Sequence, residues 1–225
     1  AAIDKPKVER KEIRVFSDDE VRALFESARA RWMSLAILLA FTTGLRRGEL
    51  LALRWSDLDL DGGLLSVRQS LEETRSGLRF KSPKTNRSHR TITLPASTIA
   101  AFRNHEKQQK AERLKLGVRG THDALVFSRR DPMTLEPQPI RPRNLTKEFD
   151  RLRKSAGIAG GTFHGLRHTH LTNLLRANVH PKVASERAGH SSVSITLDVY
   201  SHAVPSLQAD AARLVEQSVA AILEG

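Results

Sequence analysis

The chain has 225 residues, enough for one sizeable core, and its 39% hydrophobic and 28% charged residues are typical of a folded domain rather than a disordered segment. Its net charge of +12 indicates a polyanionic partner, with a nonspecific basic surface and an anionic membrane surface as alternatives. The absence of cysteine excludes disulfides and thiolate metal sites and agrees with a reducing compartment. The longest apolar run, 35–41, is too short to cross a bilayer.

The N-terminal region predicts a linker that leads into a helix. Residues 1–15 are charged and have no apolar periodicity, so we expect them to be the remnant of an interdomain linker. Ser17 followed three positions later by Glu20 is a capping box, which predicts a helix that runs to about Ala30.

The next segment predicts two helices separated by a glycine. Residues 32–43 are apolar on nearly every side, which is typical of a fully buried helix, and Gly44 is suited to end it. A short helix over residues 46–53 is expected to follow directly.

After Trp55 the pattern changes to short strands. Asp61-Gly62-Gly63 between two apolar segments is typical of a hairpin turn, and residues 83–88 form a basic polar turn. We expect one small antiparallel sheet, built from segments 58–60, 64–67, 68–74, 78–81 and 90–94.

The C-terminal half predicts mainly helix. In chain order, the expected elements are a helix at 97–116, a short strand at 125–127, a proline-rich loop at 131–142, a basic helix at 142–156, four short helices or turns in 162–202 and an amphipathic helix at about 206–223. That last helix is suited to pack on its own core or on a neighbouring copy. The predicted fold class is mainly α with a small antiparallel β-sheet (α+β), in one domain over residues 16–225.

Arg46 is the first candidate for chemistry. It lies at the start of a predicted helix, and Glu49 follows three positions later. A helix N-terminus attracts anions, and a guanidinium binds phosphate oxygens in a bidentate manner. A plain surface ion pair is the alternative, but the preceding buried helix favours a functional role because it places Arg46 at the edge of the core.

The second candidate, Lys84, lies in the basic turn before the last strand, among Lys81, Arg87 and Arg90. A lysine at a hairpin tip can give a proton to a leaving oxygen. A solvated basic loop that contacts a phosphate backbone is an equally good interpretation of these residues.

Three polar side chains are expected to share one helix face, because His164, Arg167 and His168 are three and four positions apart. The alternative is a zinc site in which His164 and His168 are joined by His170, His190 or His202. That hypothesis is weaker, because the zinc-protease pattern needs Glu directly after the first histidine and because Arg167 would repel a cation. We expect His168 to be a supporting residue.

Tyr200 is the only tyrosine of the chain, and His190 precedes it in the same C-terminal segment. A phenol can be a nucleophile that forms a covalent intermediate, provided that cationic neighbours favour its ionised form. Arg46, Arg167 and the histidines would supply them. The alternatives are a core tyrosine with its hydroxyl hydrogen-bonded, and a DNA-binding helix-turn-helix over residues 183–200.

Together these residues resemble the tyrosine recombinase family, which includes phage integrases and Xer-type enzymes. TGLRRGELLALRWSDL resembles the family's first box, and PKTNRSHRTITLP is similar to its lysine-bearing hairpin. FHGLRHTH resembles the second box and AGHSSVSITLDVYSH the third. The resemblance implies the catalytic set Arg46, Lys84, His164, Arg167, His190 and Tyr200, with Glu49 and His168 in support.

The mechanism implied by this resemblance needs no metal, cofactor or ATP. Tyr200 would attack the scissile phosphate of double-stranded DNA and form a 3′-phosphotyrosine, while Arg46, Arg167 and His190 hold phosphate oxygens. Lys84 would protonate the leaving 5′-oxygen, and His164 would assist proton movement at Tyr200. The further residues that we expect to contact DNA are Lys81, Arg87, Arg90, Arg141 and Arg143.

The resemblance also implies a larger context for the chain. We expect a site-specific recombinase or integrase of a mobile element, cytoplasmic and without membrane attachment, which as a full-length protein forms a homotetramer on DNA. The upstream core-binding domain is expected to be absent from this chain, so that the isolated domain is monomeric. Related chemistry would allow a type IB topoisomerase, and the alternatives from other classes are a noncatalytic DNA-binding protein and a metal-dependent nuclease.

Overall fold

The computed structural model describes residues 14–29, 31–82, 89–117, 121–203 and 207–223; for 199–203, 207–210 and 221 it describes the backbone alone. The helices in these ranges are α1 (Asp18–Ser27), α2 (Trp32–Thr43), α3 (Arg47–Ala52), α4 (Ala96–Lys115), α5 (Pro142–Ser155), α6 (Phe163–Arg176), α7 (Pro181–Ala188), α8 (Val193–Ala203) and α9 (Leu207–Leu223). The strands are β1 (Leu58–Asp59), β2 (Leu64–Val67), β3 (Ser70–Thr74), β4 (Gly77–Lys81), β5 (Arg90–Thr93), β6 (Ser128–Arg130) and β7 (Pro137–Pro139). The mainly helical α+β fold class is confirmed.

The capping box at the start of α1 is confirmed. The Ser17 hydroxyl accepts from the backbone N–H of Glu20, and the Glu20 carboxylate accepts from the backbone N–H of Ser17. The helix ends at Ser27, earlier than expected, and Ala28 closes it with its N–H on the Leu24 carbonyl. Residues 1–13, most of the predicted linker, lie outside the described part of the chain.

Helix α2 lies at the centre of the core. Met33, Ile37 and Leu39 are fully buried, and the helix packs against α6, α4 and α1. Each such side chain contributes about 1.5–3 kcal/mol through removal of apolar surface from water. As predicted, α2 ends at Gly44, which has a left-handed φ of 66°. A rigid, buried helix therefore leads directly into Arg46.

The strands after Trp55 form two sheets rather than the one sheet that we expected. β2 pairs with β1 and with β5, so that buried Leu65 lies opposite Leu58 on one side and Ile92 on the other. β3 and β4 form a separate hairpin. The hairpin leaves the first sheet because β3 packs against α3, where buried Leu71 comes close to Gly48.

Two further expectations are wrong. Residues 125–127 form one isolated bridge, between Leu125 and Arg54, instead of a strand, because the chain bends at Val126 and Phe127, which are both buried. The paired strand begins at β6, and its partner β7 lies inside the proline-rich segment that we expected to be a loop. Proline tolerates this place because β7 is an edge strand and needs few N–H donors.

The C-terminal part is organised by α6, which packs against α2, α7 and α8. The predicted four short helices or turns are instead three helices, since α6 continues for 14 residues, with buried Leu171 and Leu175 four positions apart. The amphipathic helix is observed as α9. None of the helices in the described ranges has both the length and the apolar character needed to span a membrane.

Candidate active site

Three arginine side chains from distant parts of the chain meet at the C-terminal end of α7. The last carbonyl groups of a helix have no partner inside the helix and carry partial negative charge. Here consecutive carbonyls of that turn each accept from a different guanidinium: Arg187 O from Arg90 Nε at 2.8 Å, Ala188 O from Arg167 Nη1 at 2.7 Å, and Gly189 O from Arg46 Nη2 at 2.6 Å. We call Arg46, Arg90 and Arg167 the arginine cluster.

Arg46 is the N-cap residue of α3, as its sequence position predicted. The carboxylate of Glu49 accepts from the Arg46 backbone N–H and from Arg46 Nη1, both at 2.9 Å. It also accepts from Arg90 Nη2 at 2.8 Å and Arg90 Nη1 at 3.2 Å. Glu49 is only 8% exposed, so this is a buried network and not the surface ion pair of the alternative interpretation.

The electrostatic setting keeps Glu49 ionised. Burial raises the pKa of its carboxyl group, but the hydrogen bond and charge of Arg90, followed by those of Arg46, outweigh burial and leave the pKa below its usual value. Within the network, three guanidinium groups face one carboxylate, which leaves two positive charges in excess.

Arg167 is the most deeply buried member of the cluster, at 2% exposure. Its Nη1 donates to Gly44 O, at the end of α2, and to Ala188 O, at the end of α7. Burial, followed by the charge of Arg46, lowers the pKa of Arg167 to about 9, which leaves it protonated at neutral pH. Its Nη2 has no hydrogen-bond partner within the described residues.

His164 and His168 lie one helical turn apart on α6, with ring centroids 4.7 Å apart in an edge-to-face arrangement. Burial, followed by the charges of Arg167, Arg46 and Arg47, lowers the pKa of His164. Burial and then His164 and Arg167 lower the pKa of His168 to about 4. Both rings are therefore neutral at pH 7.

His190 follows Gly189 directly, beside the arginine cluster. Its Nδ1 lies 2.8 Å from the hydroxyl of fully buried Thr196 on α8, which holds the ring in place. Burial, followed by the charges of Arg167 and Arg46, lowers the pKa of His190 to about 3. The imidazole is neutral at pH 7 and has a second nitrogen with which it can hydrogen-bond a ligand.

The structure thus brings together six of the predicted residues: Arg46, Glu49, His164, Arg167, His168 and His190. Tyr200 lies on α8, which packs against α6 and α7, and its side chain is not described. Lys84 and Arg87 lie outside the described residues. The roles assigned to these residues stay predictions.

The predicted DNA-contacting residues differ in their exposure. Arg141 and Arg143 are exposed, with Arg141 Nη1 3.2 Å from a Glu73 carboxylate oxygen. Lys81 is 35% exposed and lies 3.5 Å from Glu72. Arg90 differs from these three: its side chain is 7% exposed and donates to Arg187 O and to Glu49, and its expected contact with DNA stays a prediction.

Sequence reasoning missed the structural place of Arg90, although a signal was present. Residues two apart in a strand point to the same face, and Arg90 is two positions before Ile92, which is buried. It also missed His170, which is 6% exposed and has its pKa lowered to about 3 by burial and then by Arg187. Among the described residues no three histidine or carboxylate side chains converge as a metal site would require.

Comparison with known proteins agrees with this geometry. Residues 14–206 match the family model described as the phage integrase family, and the chain belongs to that family. It is 33% identical over 212 residues to a tyrosine recombinase XerC-like protein of Caldanaerobacter subterraneus subsp. tengcongensis, covering 89% of this chain and 53% of the relative. It is 29% identical over 174 residues to the ICEBs1 integrase of Bacillus subtilis, covering 77% of this chain and 46% of the relative. The chain thus spans about half the length of these relatives.

Solved structures show the same fold. The integrase of transposon Tn1549, in complex with transposon right end DNA, superposes with a TM-score of 0.75 at 24% identity, over 93% of this chain and 68% of that one. The XerA recombinase superposes with a TM-score of 0.66 at 25% identity, over 91% of this chain and 64% of that one. These likenesses establish the tyrosine recombinase catalytic fold for the chain.

Proposed function

We propose that this chain is the catalytic part of a site-specific DNA recombinase, an integrase of a mobile element, that cuts and rejoins double-stranded DNA through a 3′-phosphotyrosine intermediate. The observation that carries the proposal is the arginine cluster, in which Arg46 and Arg167 are held by adjacent carbonyls beside three neutral histidines. Such an arrangement is suited to one phosphodiester and to the transfer of protons around it.

The charge of the cluster supports phosphoryl transfer. A phosphodiester carries one negative charge, and attack by a nucleophile adds a second as the transition state forms. The two excess positive charges of the cluster match that developing charge in a buried setting, where electrostatic interactions are strong. Donors that are held before the substrate binds cost no reorganisation, and each such donor contributes about 10²–10³ in rate in comparable sites.

The individual roles follow from the placement of each group. Arg46, Arg167 and His190 hold the nonbridging oxygens, with Arg167 Nη2 as a donor that no described protein group uses. Neutral His164 takes part in removing the proton from the nucleophile, and Tyr200 on α8 is that nucleophile. Lys84 protonates the leaving 5′-oxygen. A second 5′-hydroxyl then attacks the phosphotyrosine, so that the bond energy is conserved and no ATP is consumed.

The wider setting is part of the same proposal. Relatives that match this chain over about half of their own length are named recombinases, integrases and transposases. The full-length protein is proposed to act as a homotetramer on DNA in the cytoplasm of a bacterial or phage-infected cell. Exposed Arg141 and Arg143, together with Lys81 and Arg87, are proposed to contact the DNA backbone. The isolated chain is expected to be a monomer.

The test is covalent trapping on nicked duplexes with a randomised core, in the presence of EDTA. Because the chain contains one tyrosine, Tyr200→Phe removes every phenol. The wild-type protein is expected to form a protein–DNA adduct that resists denaturant. Arg167→Lys should form this adduct at least ~10²-fold more slowly, and Tyr200→Phe should form no adduct. Cleavage that survives in Tyr200→Phe or needs a divalent cation would contradict the proposal and favour a nuclease, and DNA binding without any adduct would favour the noncatalytic alternative.

A further inference from the structure

We infer that Arg90 is a positioning residue: it fixes Glu49 and the C-terminal turn of α7, and through them it sets the place of the Arg46 guanidinium without contacting DNA. This inference rests on the proposed function and adds to it a residue that acts through its neighbours.

The contacts of Arg90 are all internal. Its Nε donates to Arg187 O, and its two terminal nitrogens each donate to a different oxygen of Glu49. The planar guanidinium thus bridges a helix end and a carboxylate, which is a geometry that a lysine ammonium cannot reproduce. With 7% of the side chain exposed and these donors already paired, Arg90 has little surface to offer a phosphate.

The difference in exposure shows which residue positions which. Arg46 is 41% exposed, so packing alone does not hold its side chain, whereas Arg90 and Glu49 are exposed by only 7% and 8%. A long, exposed side chain loses considerable rotamer entropy when it is fixed. The buried Arg90–Glu49 pair therefore provides the rigid support, and Arg46 takes its orientation from that pair.

Arg90 also touches the second partner of Arg46. A Cβ added at Gly189 would lie 2.7 Å from Arg90 Nη1, so the guanidinium packs directly on this glycine, whose carbonyl accepts from Arg46 Nη2 at 2.6 Å. Arg90 thus contacts the Glu49 carboxylate and packs on Gly189, the residue whose carbonyl holds Arg46.

The same residue joins these groups to the first sheet. Arg90 begins β5 and is paired with Val67 of β2. Lys84 precedes it by six positions in the sequence. Through Arg90, the strand β5 that follows the proposed general acid is attached to the C-terminal turn of α7, where the Gly189 carbonyl holds Arg46.

Loss of Arg90 is expected to slow the chemical step and to leave DNA binding nearly intact. Without it, Glu49 keeps one cationic partner and the α7 turn loses one of its donors. A displacement of about 1 Å in a catalytic group costs on the order of 10²-fold in rate. A residue that binds phosphate shows the opposite pattern, namely weaker affinity and a shallower salt dependence.

The experiment compares Arg90→Met and Arg90→Lys with Arg103→Met, which removes one positive charge from an exposed pair with Asp61. Two quantities are measured: the single-turnover rate of adduct formation at saturating protein, and the Kd for DNA over a salt series.

Arg90→Met is expected to slow adduct formation by about 10–100-fold, with a Kd and salt slope that match Arg103→Met. Arg90→Lys should recover part of the rate, because an ammonium can reach Glu49 but not Arg187 O as well. An unchanged rate with a salt slope reduced by about one would assign Arg90 to DNA contact and overturn the inference.

A second readout does not depend on activity. In crystal structures of Arg90→Met and Arg90→Lys, the distance from Arg46 Nη2 to Gly189 O is expected to lengthen beyond hydrogen-bonding range in the methionine variant. If Arg46 keeps that bond and its bonds to Glu49, the inference is wrong whether or not the protein cleaves DNA. If wild type forms no adduct, the proposed function fails while this comparison still decides the role of Arg90. If Arg90→Met does not fold, Arg90→Lys is tested alone and in a double-mutant cycle with Glu49→Gln. Additive effects of the two substitutions on the rate of adduct formation would overturn the inference.

Discussion

Replacing Gly44 by alanine tests how the junction between α2 and α3 holds the buried guanidinium of Arg167. Gly44 has a φ of 66°, and its carbonyl accepts from Arg167 Nη1. A Cβ at this position would lie 2.7 Å from Cδ2 of His170, which is 6% exposed and has little room to move. The substitution therefore strains the backbone and pushes two buried groups apart.

The expected loss of stability has two parts. A left-handed alanine costs about 1–2 kcal/mol relative to glycine, and relief of the overlap with the His170 ring costs about 1–3 kcal/mol more. The free energy of unfolding should fall by about 2–5 kcal/mol, which corresponds to a decrease in Tm of about 4–20 °C for a domain of this size. Because the Gly44 carbonyl must shift, Arg167 should move with it and slow DNA cleavage by on the order of 10²-fold.

Gly157 is a matched control for the cost of placing alanine in a left-handed backbone conformation. Its φ is 71°, and an added Cβ there would meet no atom within 4 Å. Gly157→Ala should therefore cost only the backbone term of about 1–2 kcal/mol and leave cleavage unchanged. Urea unfolding and the adduct assay on the two variants give the comparison. Equal losses of stability, or normal cleavage by a folded Gly44→Ala protein, would refute the argument from the His170 contact and the Gly44 carbonyl.

Two further predictions concern buried ionisable groups. Glu49→Gln turns amide hydrogens towards guanidinium donors and should lower the free energy of unfolding by about 2–4 kcal/mol. Glu72→Gln, in an exposed pair with Arg79, is the control and should hardly change the urea midpoint. Equal urea midpoints for the two variants would contradict the buried network. His170 has a pKa of about 3 in the folded chain against 6.5 ordinarily, so below pH 6.5 the unfolded chain binds a proton that the folded chain does not. This difference in proton binding does not affect the free energy of unfolding above pH 6.5. As the pH falls from 6.5 towards 3, it lowers the free energy of unfolding by at most about 1.4 kcal/mol per pH unit. In His170→Leu the slope of unfolding free energy between pH 6 and 4 should be smaller, and an identical slope would show that this imidazole is not the group responsible.

Local features of this protein could be predicted from the sequence. The Ser17–Glu20 capping box, the end of α2 at Gly44 and the pairing of Arg46 with Glu49 each depend on groups no more than four residues apart. Spacing of three and four residues was likewise enough to place His164, Arg167 and His168 together on α6. Such contacts are formed by a helix or a turn wherever it lies, so the pattern of residue types carries the information.

The partners of the arginines could not be predicted in that way. Arg46 reaches Gly189 across 143 positions and Arg90 reaches Arg187 across 97. Which guanidinium meets which carbonyl depends on how α7 packs beside α6 and β5, and thus on long-range contacts whose free energy no short window contains. The same reason separates β3 and β4 from the first sheet, since packing against α3 outweighs continuation of the strand ladder. The sequence by itself determined which side chains the candidate site has, and the tertiary structure decided that the Arg90 side chain turns inward to Glu49 and Arg187 O.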